Sequence, residues 1–548
     1  MKIILTTLLL VVSSGLLAQV KLWLVDPLEA IYPDTNLLSD YGDSWSAGFP
    51  QGTVVDVHIV LRLPVGEPFT FSAINDGKSL PLNCWSKLID VPVEQNTGLD
   101  SRTEAFKGKV NPHVIRKAPF RVYEVIQPAG TNRMVGKNEF SAIRLAIPPS
   151  EFTKPGIHKI QIKIEGKDWS RQAIFRAEIH EVKIPNLSDS RFFYTNWFNL
   201  KRMEEKHAVE RWTDAWFEML KQYAEMMAHG RQNAITVPGE LITLEDDRIV
   251  LDEARMLRFI NVFRDAGFQY FESPHLMYRG DNDDWGDPEL KVVLTKKRYY
   301  KEGGKEDVGT IVKLIKKFAD KNGLSDRWLQ HISDEPTEIQ AECYKDIAAQ
   351  VKSIYPDIRI MEATNDRDGI AGAIDLWCPL INDFQENEVF FREREKLGEK
   401  VLVYTCLIPG GKWLNRTLDM EKLRQVYFGW GAAHYNTFGY LHWGLNQYLA
   451  NPFEQSVVPH PSPAASANNF LPAGDTHVIY PGKDGPLSSI RFEAHRIGIE
   501  DYEMLMKLKE QKPALSQKLI RKLFRSYTNY NTSLSDYRKM RKKLLRLL

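Results

Sequence analysis

Read as a pattern of apolar and polar positions, the chain changes rhythm near residue 190. From Val20 to about Ile184, short alternating or β-branched runs recur, among them Thr53 to Leu61, Phe69 to Ala73, Ser141 to Ile147, His158 to Ile164 and Gln172 to Val182. Gly, Pro and Asn turns separate them. Side chains alternate between the two faces of a strand, so several short runs at this spacing predict an antiparallel β-sandwich over residues 19–187. Pro185 to Ser190 reads as a linker.

From Arg191 the pattern becomes strand, helix, strand, helix. The predicted strands are Phe192 to Trp197, Asn233 to Val237, Phe268 to Glu272, Trp328 to Ser333, Ile358 to Thr364, Leu376 to Pro379, Val401 to Leu407 and Thr437 to Trp443. Eight strands alternating with helices are what closes a (β/α)8 TIM-like barrel, predicted here over 188–510. The helices between them carry a 3.6-residue period, with Trp212, Trp216, Met219, Tyr223 and Met226 on one face and Ile311, Leu314, Ile315 and Phe318 on another. These stripes read as core. Asn446 to Gly474, rich in Pro, Ala, Ser and Asn, reads as a long loop over the barrel mouth. A hairpin from His477 to Arg491, an amphipathic helix from Phe492 to about Lys509 and a helical tail over 511–548 follow. The basic run Arg538 to Arg546 within that tail reads as a solvated helix face.

The first 18 residues have a different character: one charge, Lys2, an apolar run from Ile3 to Val12, and small residues through to Ala18. That is the pattern of an export signal, too short for a membrane span. The mature chain is expected to begin near Gln19, outside the cytoplasm, in the periplasm or beyond the cell. No cysteine precedes Cys84, so no lipoprotein anchor is expected, nor an integral membrane segment once the leader is removed.

Composition narrows the partners. The 548 residues hold 72 Lys and Arg against 71 Asp and Glu, which excludes the basic field that attracts nucleic acid. A neutral glycan fits better. The four cysteines, Cys84, Cys343, Cys378 and Cys406, stand in no metal-binding spacing, so neither a metal nor another cofactor is expected.

TIM barrels place their chemistry at the C-terminal ends of the strands. The fourth predicted strand ends His331-Ile332-Ser333-Asp334-Glu335-Pro336, which puts two acids and a proline where the strand breaks off. The same segment suits a helix N-cap, with Thr337 and Glu338 in the first turn. Other strand ends supply rings and amides, namely Trp197, His275, Asn365, Trp377, Tyr404 and Trp443. A sugar pocket uses such groups, because pyranose faces stack on aromatic rings and hydroxyls take directed hydrogen bonds.

A retaining glycosidase with a protein nucleophile needs a second carboxylate about 5 Å from the acid. The seventh strand, Val401 to Leu407, carries no acid. A substrate-assisted route needs none, because the 2-acetamido group of the sugar attacks its own anomeric carbon. Two alternatives stand beside it. One is a β-glycosidase drawing a nucleophile from Glu240, Glu272 or Asp366, and the other is a catalytically silent carbohydrate-binding protein.

The stretch Val478-Ile-Tyr-Pro-Gly-Lys-Asp-Gly-Pro-Leu-Ser-Ser-Ile-Arg491, continuing through Arg496-Ile-Gly-Ile-Glu-Asp-Tyr-Glu503, resembles the domain of unknown function 4091 that closes glycoside hydrolase family 123 proteins, and Asp334-Glu335 matches that family's catalytic pair. The resemblance implies an exo-acting, retaining β-N-acetylgalactosaminidase that cleaves a terminal N-acetylhexosamine from a glycan, comparable to hexosaminidases of glycoside hydrolase family 20. It implies Glu335 as acid/base and Asp334 as the group that steers the acetamido. By position and chemistry, Tyr404 is the expected donor to the acetamido oxygen, with Trp377 and Trp443 as walls around its methyl. Both N-acetylgalactosamine and N-acetylglucosamine fit this reading. Within the 474–505 segment, Arg491, Arg496, Glu500 and Asp501 lie three to five residues apart, a spacing expected to form ion pairs that fix the hairpin against the barrel.

Overall fold

The computed structural model describes residues 20–548 except 37, 101–102, 105–107, 110, 153 and 365. The expected leader over 1–18 and the candidate Asn365 therefore lie outside the described residues.

The N-terminal part consists of two sheets. One runs in the order Lys21–Val25, Val55–Arg62, Phe140–Ile147, Trp85–Val93 and Phe120–Pro128, antiparallel throughout. The other runs Ser44–Gln51, Ser170–Lys183, Gly156–Gly166, Pro68–Asn75 and Lys78–Ser79. Period-2 alternation delivers Val57, Ile59 and Leu61 of the first sheet and Phe69, Phe71, Ile160, Ile162 and Ile164 of the second to one apolar core. The antiparallel expectation fails at one pair: Ser44–Gln51 lies parallel to Ser170–Lys183. More than a hundred residues separate the two strands, so no hairpin dictates their direction.

Eight parallel strands follow, each within three residues of its predicted ends. They are Phe193–Asn196, Ala234–Thr236, Tyr270–Glu272, Trp328–Gln330, Arg359–Thr364, Leu376–Pro379, Lys400–Val401 continued by Val403–Thr405, and Gly439–His442. Parallel ladders join the second strand through to the seventh. They also join the seventh to the eighth and the eighth to the first. Between the first and second, Asn233 N–H donates to the Tyr194 carbonyl over 3.1 Å. Both faces of these strands are buried. Phe193, Ala234, Leu329, Met361, Leu376, Cys378 and Leu441 form an inner cluster, while the alternate residues Tyr194, Ile235, Phe271, Trp328, Ile360, Trp377 and Tyr440 pack toward the helices.

The helices bury the expected stripes with small rotations. Asp214–His229, capped by Thr213, buries Trp216, Leu220, Tyr223 and Met227, whereas Trp212 precedes the helix in a left-handed conformation and Met219 and Met226 sit half-buried at its edge. Gly304–Lys321 buries Ile311, Val312, Ile315 and Phe318. No helix among the described residues is long and apolar enough to cross a membrane.

The C-terminal segment departs from expectation in what it grips. The hairpin Tyr480–Pro481 and Pro486–Ser489 adds to the edge of the N-terminal sheet, with Ser488 opposite Ile126 and Ser489 opposite Val125. The helix Ile490–Gln511 then runs between that sheet and the parallel strands. Its Arg491 donates to Glu124 over 2.6 Å and to the carbonyls of Arg416, Gly474 and His477 over 2.7–2.9 Å. Arg496 bonds Glu493, Glu500 and Thr53, so the motif's ion pairs bind the two halves of the chain together.

Two glycines of the segment have steric reasons. A Cβ on Gly498 would stand 2.5 Å from the Val426 carbonyl of the neighbouring helix Leu423–Tyr435, and one on Gly474, whose φ is +83°, would meet the Arg491 guanidinium at 2.5 Å. The basic tail keeps Lys539, Lys543 and Arg546 on an exposed face as expected, but two of its arginines are drawn inward. On the last helix, Leu534–Leu547, Arg538 grips Asp26 through two 2.6 Å bonds and the buried Arg541 reaches Asp501 and the Gly48 carbonyl. These acids lie far away in sequence, where local charge patterning does not register them.

Removing one partner of a buried ion pair leaves an uncompensated charge. Arg491→Met should therefore lower unfolding free energy by about 3–5 kcal/mol in urea melts, and the double variant Arg491→Met, Glu124→Gln should recover part of it. A single variant as stable as wild type would show that the two halves are held by apolar contact alone.

Candidate functional site

The fourth parallel strand leaves its ladder after Gln330, and the chain turns at the acids. Glu335 takes a left-handed φ of +44°, a conformation that costs a non-glycine residue on the order of 1 kcal/mol and is concentrated at functional sites. Its N–H donates to the Ala363 carbonyl of the fifth strand over 3.1 Å. The turn frees both half-buried acids from strict strand alternation. The next helical turn does not draw its cap from them, since Thr337 N–H is received by Gln340 Oε1 over 3.2 Å.

Tyr404, on the seventh strand, donates its hydroxyl to Glu335 Oε1. Burial and the Glu335 charge hold that phenol well above its ordinary range. From the loop after the third strand, Arg279 Nη1 donates to the carbonyls of Asp334 and Glu335 over 2.6 and 3.3 Å. Burial raises the Asp334 carboxyl and the Glu362 charge adds to the rise, while His275, Arg279 and His331 oppose it.

Beneath the acids lies a buried chain of charges that sequence reading missed as a unit. His331 stands between Glu362 and Glu272, each 3.0 Å from a ring nitrogen. Burial alone would lower this imidazole, but the two carboxylates reverse the effect and carry it to about 10. Glu362 also accepts from Ile332 N–H, Ser333 N–H and the Tyr344 hydroxyl at 2.8–3.2 Å. Burial pushes Glu362 up, yet its bonds from the two histidines leave it below the usual range. Glu272 accepts from Thr195 and, over 3.4 Å, from Trp197 Nε1. A carboxylate inside an otherwise apolar strand run is the sequence signal for both glutamates.

The predicted residues divide clearly. Trp197 packs edge-on against His275 at 5.6 Å and His331 at 6.2 Å, and His275 Nε2 is 3.5 Å from Glu362; with Asp334, Glu335 and Tyr404 these form one cluster. Trp443 donates its indole N–H to Asp475 over 3.2 Å. Burial carries Asp475 up to about 7, against the pull of Arg416, the Trp443 bond and Arg491. Trp443 directly follows the eighth strand, Gly439–His442, as the acids follow the fourth, so the Trp443–Asp475 pair stands at the same end of the parallel strands. Trp377 is a correction. Strand alternation sends Leu376 and Cys378 inward and Trp377 outward, where it packs on Phe390 and Phe391 and donates to Glu399.

The alternative nucleophiles fare poorly. Glu240 lies at the surface paired with Arg211, Asp366 accepts from Gly369 N–H in a turn, and both Glu272 oxygens are engaged. His275, His331 and Glu362 bring donor atoms within 4.8 Å of one another, but both His331 nitrogens are already hydrogen-bonded to carboxylates, leaving no lone pair for a cation. A cavity of about 570 Å³ lies away from the acids, between Asp26, Tyr41, Trp45 and Arg538.

The model of the glycoside hydrolase 123 catalytic domain matches residues 197–508, a span that holds every group of this cluster except the hydroxyl of Thr195. The chain belongs to glycoside hydrolase family 123. This family 123 glycosidase is similar over 96% of its length to 97% of a family 123 glycoside hydrolase from Clostridium perfringens, with 16% identity and a TM-score of 0.68, in a structure that concerned glycolipid glycan hydrolysis. At that identity the likeness shows a shared fold. Weaker likenesses are to a family 5 mannosidase from Rhizomucor miehei (12% identity, 59% and 95% covered, TM-score 0.32) and to β-glucuronidase 3 of Bacteroides uniformis (8%, 82% and 50%, TM-score 0.29), and they carry no argument. Comparison with curated proteins returned no match.

The His331 cation gives the family 123 chain a pH signature. A histidine raised from 6.5 to about 10 on folding contributes stability that is complete below pH 6.5 and lost as pH rises through 10. The stability gap between wild type and His331→Asn, measured by urea melts, should be widest below pH 6.5 and close toward pH 10. A gap that stays constant over that range would place a neutral imidazole between the two glutamates.

Proposed function

We propose that this glycosidase is an exo-acting, retaining β-N-acetylgalactosaminidase that works by substrate assistance, with its eight parallel strands forming a closed (β/α)8 barrel around the site. The observation that carries the reading is Tyr404. At the seventh-strand end, where a retaining barrel enzyme would present its carboxylate nucleophile, this chain places a phenol whose hydroxyl rests on Glu335.

The steps then fall to named groups. Glu335 protonates the leaving oxygen as the acetamido oxygen of the terminal sugar closes on the anomeric carbon, and in the second half it takes a proton from water, which opens the ring with net retention. Asp334 accepts the acetamido N–H and faces the positive charge that grows on the cyclising group. Burial and the Glu362 charge hold the Asp334 carboxyl above its ordinary value, and His275, Arg279 and His331 pull it back toward the ionised form this role needs. When the substrate binds, the Tyr404 hydroxyl turns from Glu335 and donates to the acetamido oxygen, and Trp443 and Trp197 line the pocket. Trp377 has no part in it. N-acetylglucosamine is the alternative terminal sugar.

Glu335→Gln should lose activity most on poor leaving groups, and Asp334→Asn should lose it whatever the leaving group, each by on the order of 100-fold, about 3 kcal/mol in the barrier. Paired β-N-acetylgalactosaminides, β-N-acetylglucosaminides and β-galactosides read the specificity. A thiazoline mimic of the cyclised sugar should inhibit strongly. Equal cleavage of β-galactosides, or an inert thiazoline, would sink the substrate-assisted route.

We further propose that residues 1–18 direct export and that the mature enzyme begins near Gln19, since the short apolar core from Ile3 to Val12 has the length of an export signal. N-terminal sequencing of the native protein should find Gln19 or a near neighbour first; recovery of Met1 would refute this.

A further inference from the structure

Asp475 is buried beside the end of the eighth parallel strand, where a glycine lets the chain come close. A Cβ on Gly444 would stand 2.7 Å from the carbonyls of Asp475 and Thr476, so the two backbones pack directly at the residue after Trp443. Oδ2 of Asp475 accepts the Trp443 indole N–H over 3.2 Å. Oδ1 faces His442 Nε2 at 3.4 Å, and neither of these atoms has another partner among the described residues. The His442 tautomer decides how they meet. Burial holds this imidazole neutral, well below its ordinary range, and its Nδ1 accepts the Gly444 N–H over 3.1 Å. Its one hydrogen therefore sits on Nε2, toward Asp475. An ionised Asp475 thus faces two N–H groups, one at each oxygen.

A protonated Asp475 cannot keep both. Its added hydrogen points at the indole N–H or at the imidazole N–H, and one of the two has to withdraw. His442 is buried and pinned by the Gly444 N–H, whereas the Trp443 ring is half-exposed and free to move. We infer that Asp475 is a positioning residue, which holds the Trp443 wall against the terminal sugar while ionised and releases it on taking up a proton. This rests on the functional reading above, in which Trp443 lines the pocket. The other groups facing the carboxyl are Cys406 and Arg416 after the seventh strand, Tyr440 of the eighth and Arg491 of the helix Ile490–Gln511. The two arginines direct their hydrogen bonds to Asn196, Glu124 and backbone carbonyls. Burial outweighs their attraction and brings the titration of Asp475 to about 7. The wall is therefore held above that pH and loosened as pH falls through it.

The test measures the advantage of the indole over a ring without an N–H, as kcat/KM of wild type divided by that of Trp443→Phe on an N-acetylhexosaminide that wild type cleaves. A group titrating at about 7 is roughly nine-tenths ionised at about pH 8 and one-tenth at about pH 6, so the advantage should be about tenfold larger at the higher pH. Titration of Asp334 and Glu335 is common to both proteins and cancels in the ratio. In an Asp475→Asn background the advantage should be the same at both pH values. The first comparison keeps Asp475 in both proteins, so it stands even where Asp475→Asn does not fold. An advantage that does not change with pH while Asp475 is present, or one that still changes after Asp475→Asn, overturns the inference and leaves the functional reading intact. If wild type cleaves no N-acetylhexosaminide, the functional reading fails and the inference with it.

Discussion

The buried guanidinium of Arg491 is the contact on which the rest of the molecule hangs. A cation at zero exposure is costly unless its donors are met, and here they are met by Glu124 of the N-terminal sheet and by carbonyls of Arg416, Gly474 and His477. Those partners come from three distant stretches of chain. Arg416 extends the connection inward, donating to Asn196 at the end of the first parallel strand and to the Gly444 carbonyl after the eighth. The rim that carries Trp443 and Asp475 is thus set by a charge satisfied partly from the other half of the protein. This gives the 474–505 motif a physical role: it fixes the distance between two folding units and the strand ends at once.

A second constraint acts on the acids. The sequence Glu272, His331, Glu362 places one cation between two anions below Asp334. With His331 held protonated, the trio carries a net negative charge in a buried region, and such a field favours positive charge developing on a sugar above it. On the proposed mechanism that charge is the cyclising acetamido group. The trio also ties the third, fourth and fifth strands together where their ladders are short, so orienting the site and stabilising the strand ends are one arrangement.

What could be read from the sequence follows from the range of each interaction. The eight strands and the switch in rhythm near residue 190 were legible because periodicity is local. The turn that carries Asp334 and Glu335 was legible because a proline and two adjacent carboxylates at a strand end are unusual together. Trp377 misled, since proximity to a strand end says nothing about which face a residue takes, and neighbours in a strand face opposite ways. His331 was visible as a letter but not as an imidazolium, because its partners lie 31 and 59 positions away. Arg538 reads as a solvated charge for the same reason, with its partner Asp26 lying 512 positions off.

The hairpin strand Pro486–Ser489 gives the molecule an order of assembly that its linear layout conceals. During synthesis the N-terminal sheet emerges first, but its Phe120–Pro128 edge stays unpaired until nearly five hundred residues have been made. An open strand edge is a template for pairing with other chains. The first unit therefore cannot complete itself co-translationally in the usual domain-by-domain manner, and the last-made part of the protein acts as its lock. A chain truncated before residue 486 loses more than a tail. It releases a sheet with a live edge and a Glu124 that has lost its Arg491 partner, the starting condition for aggregation.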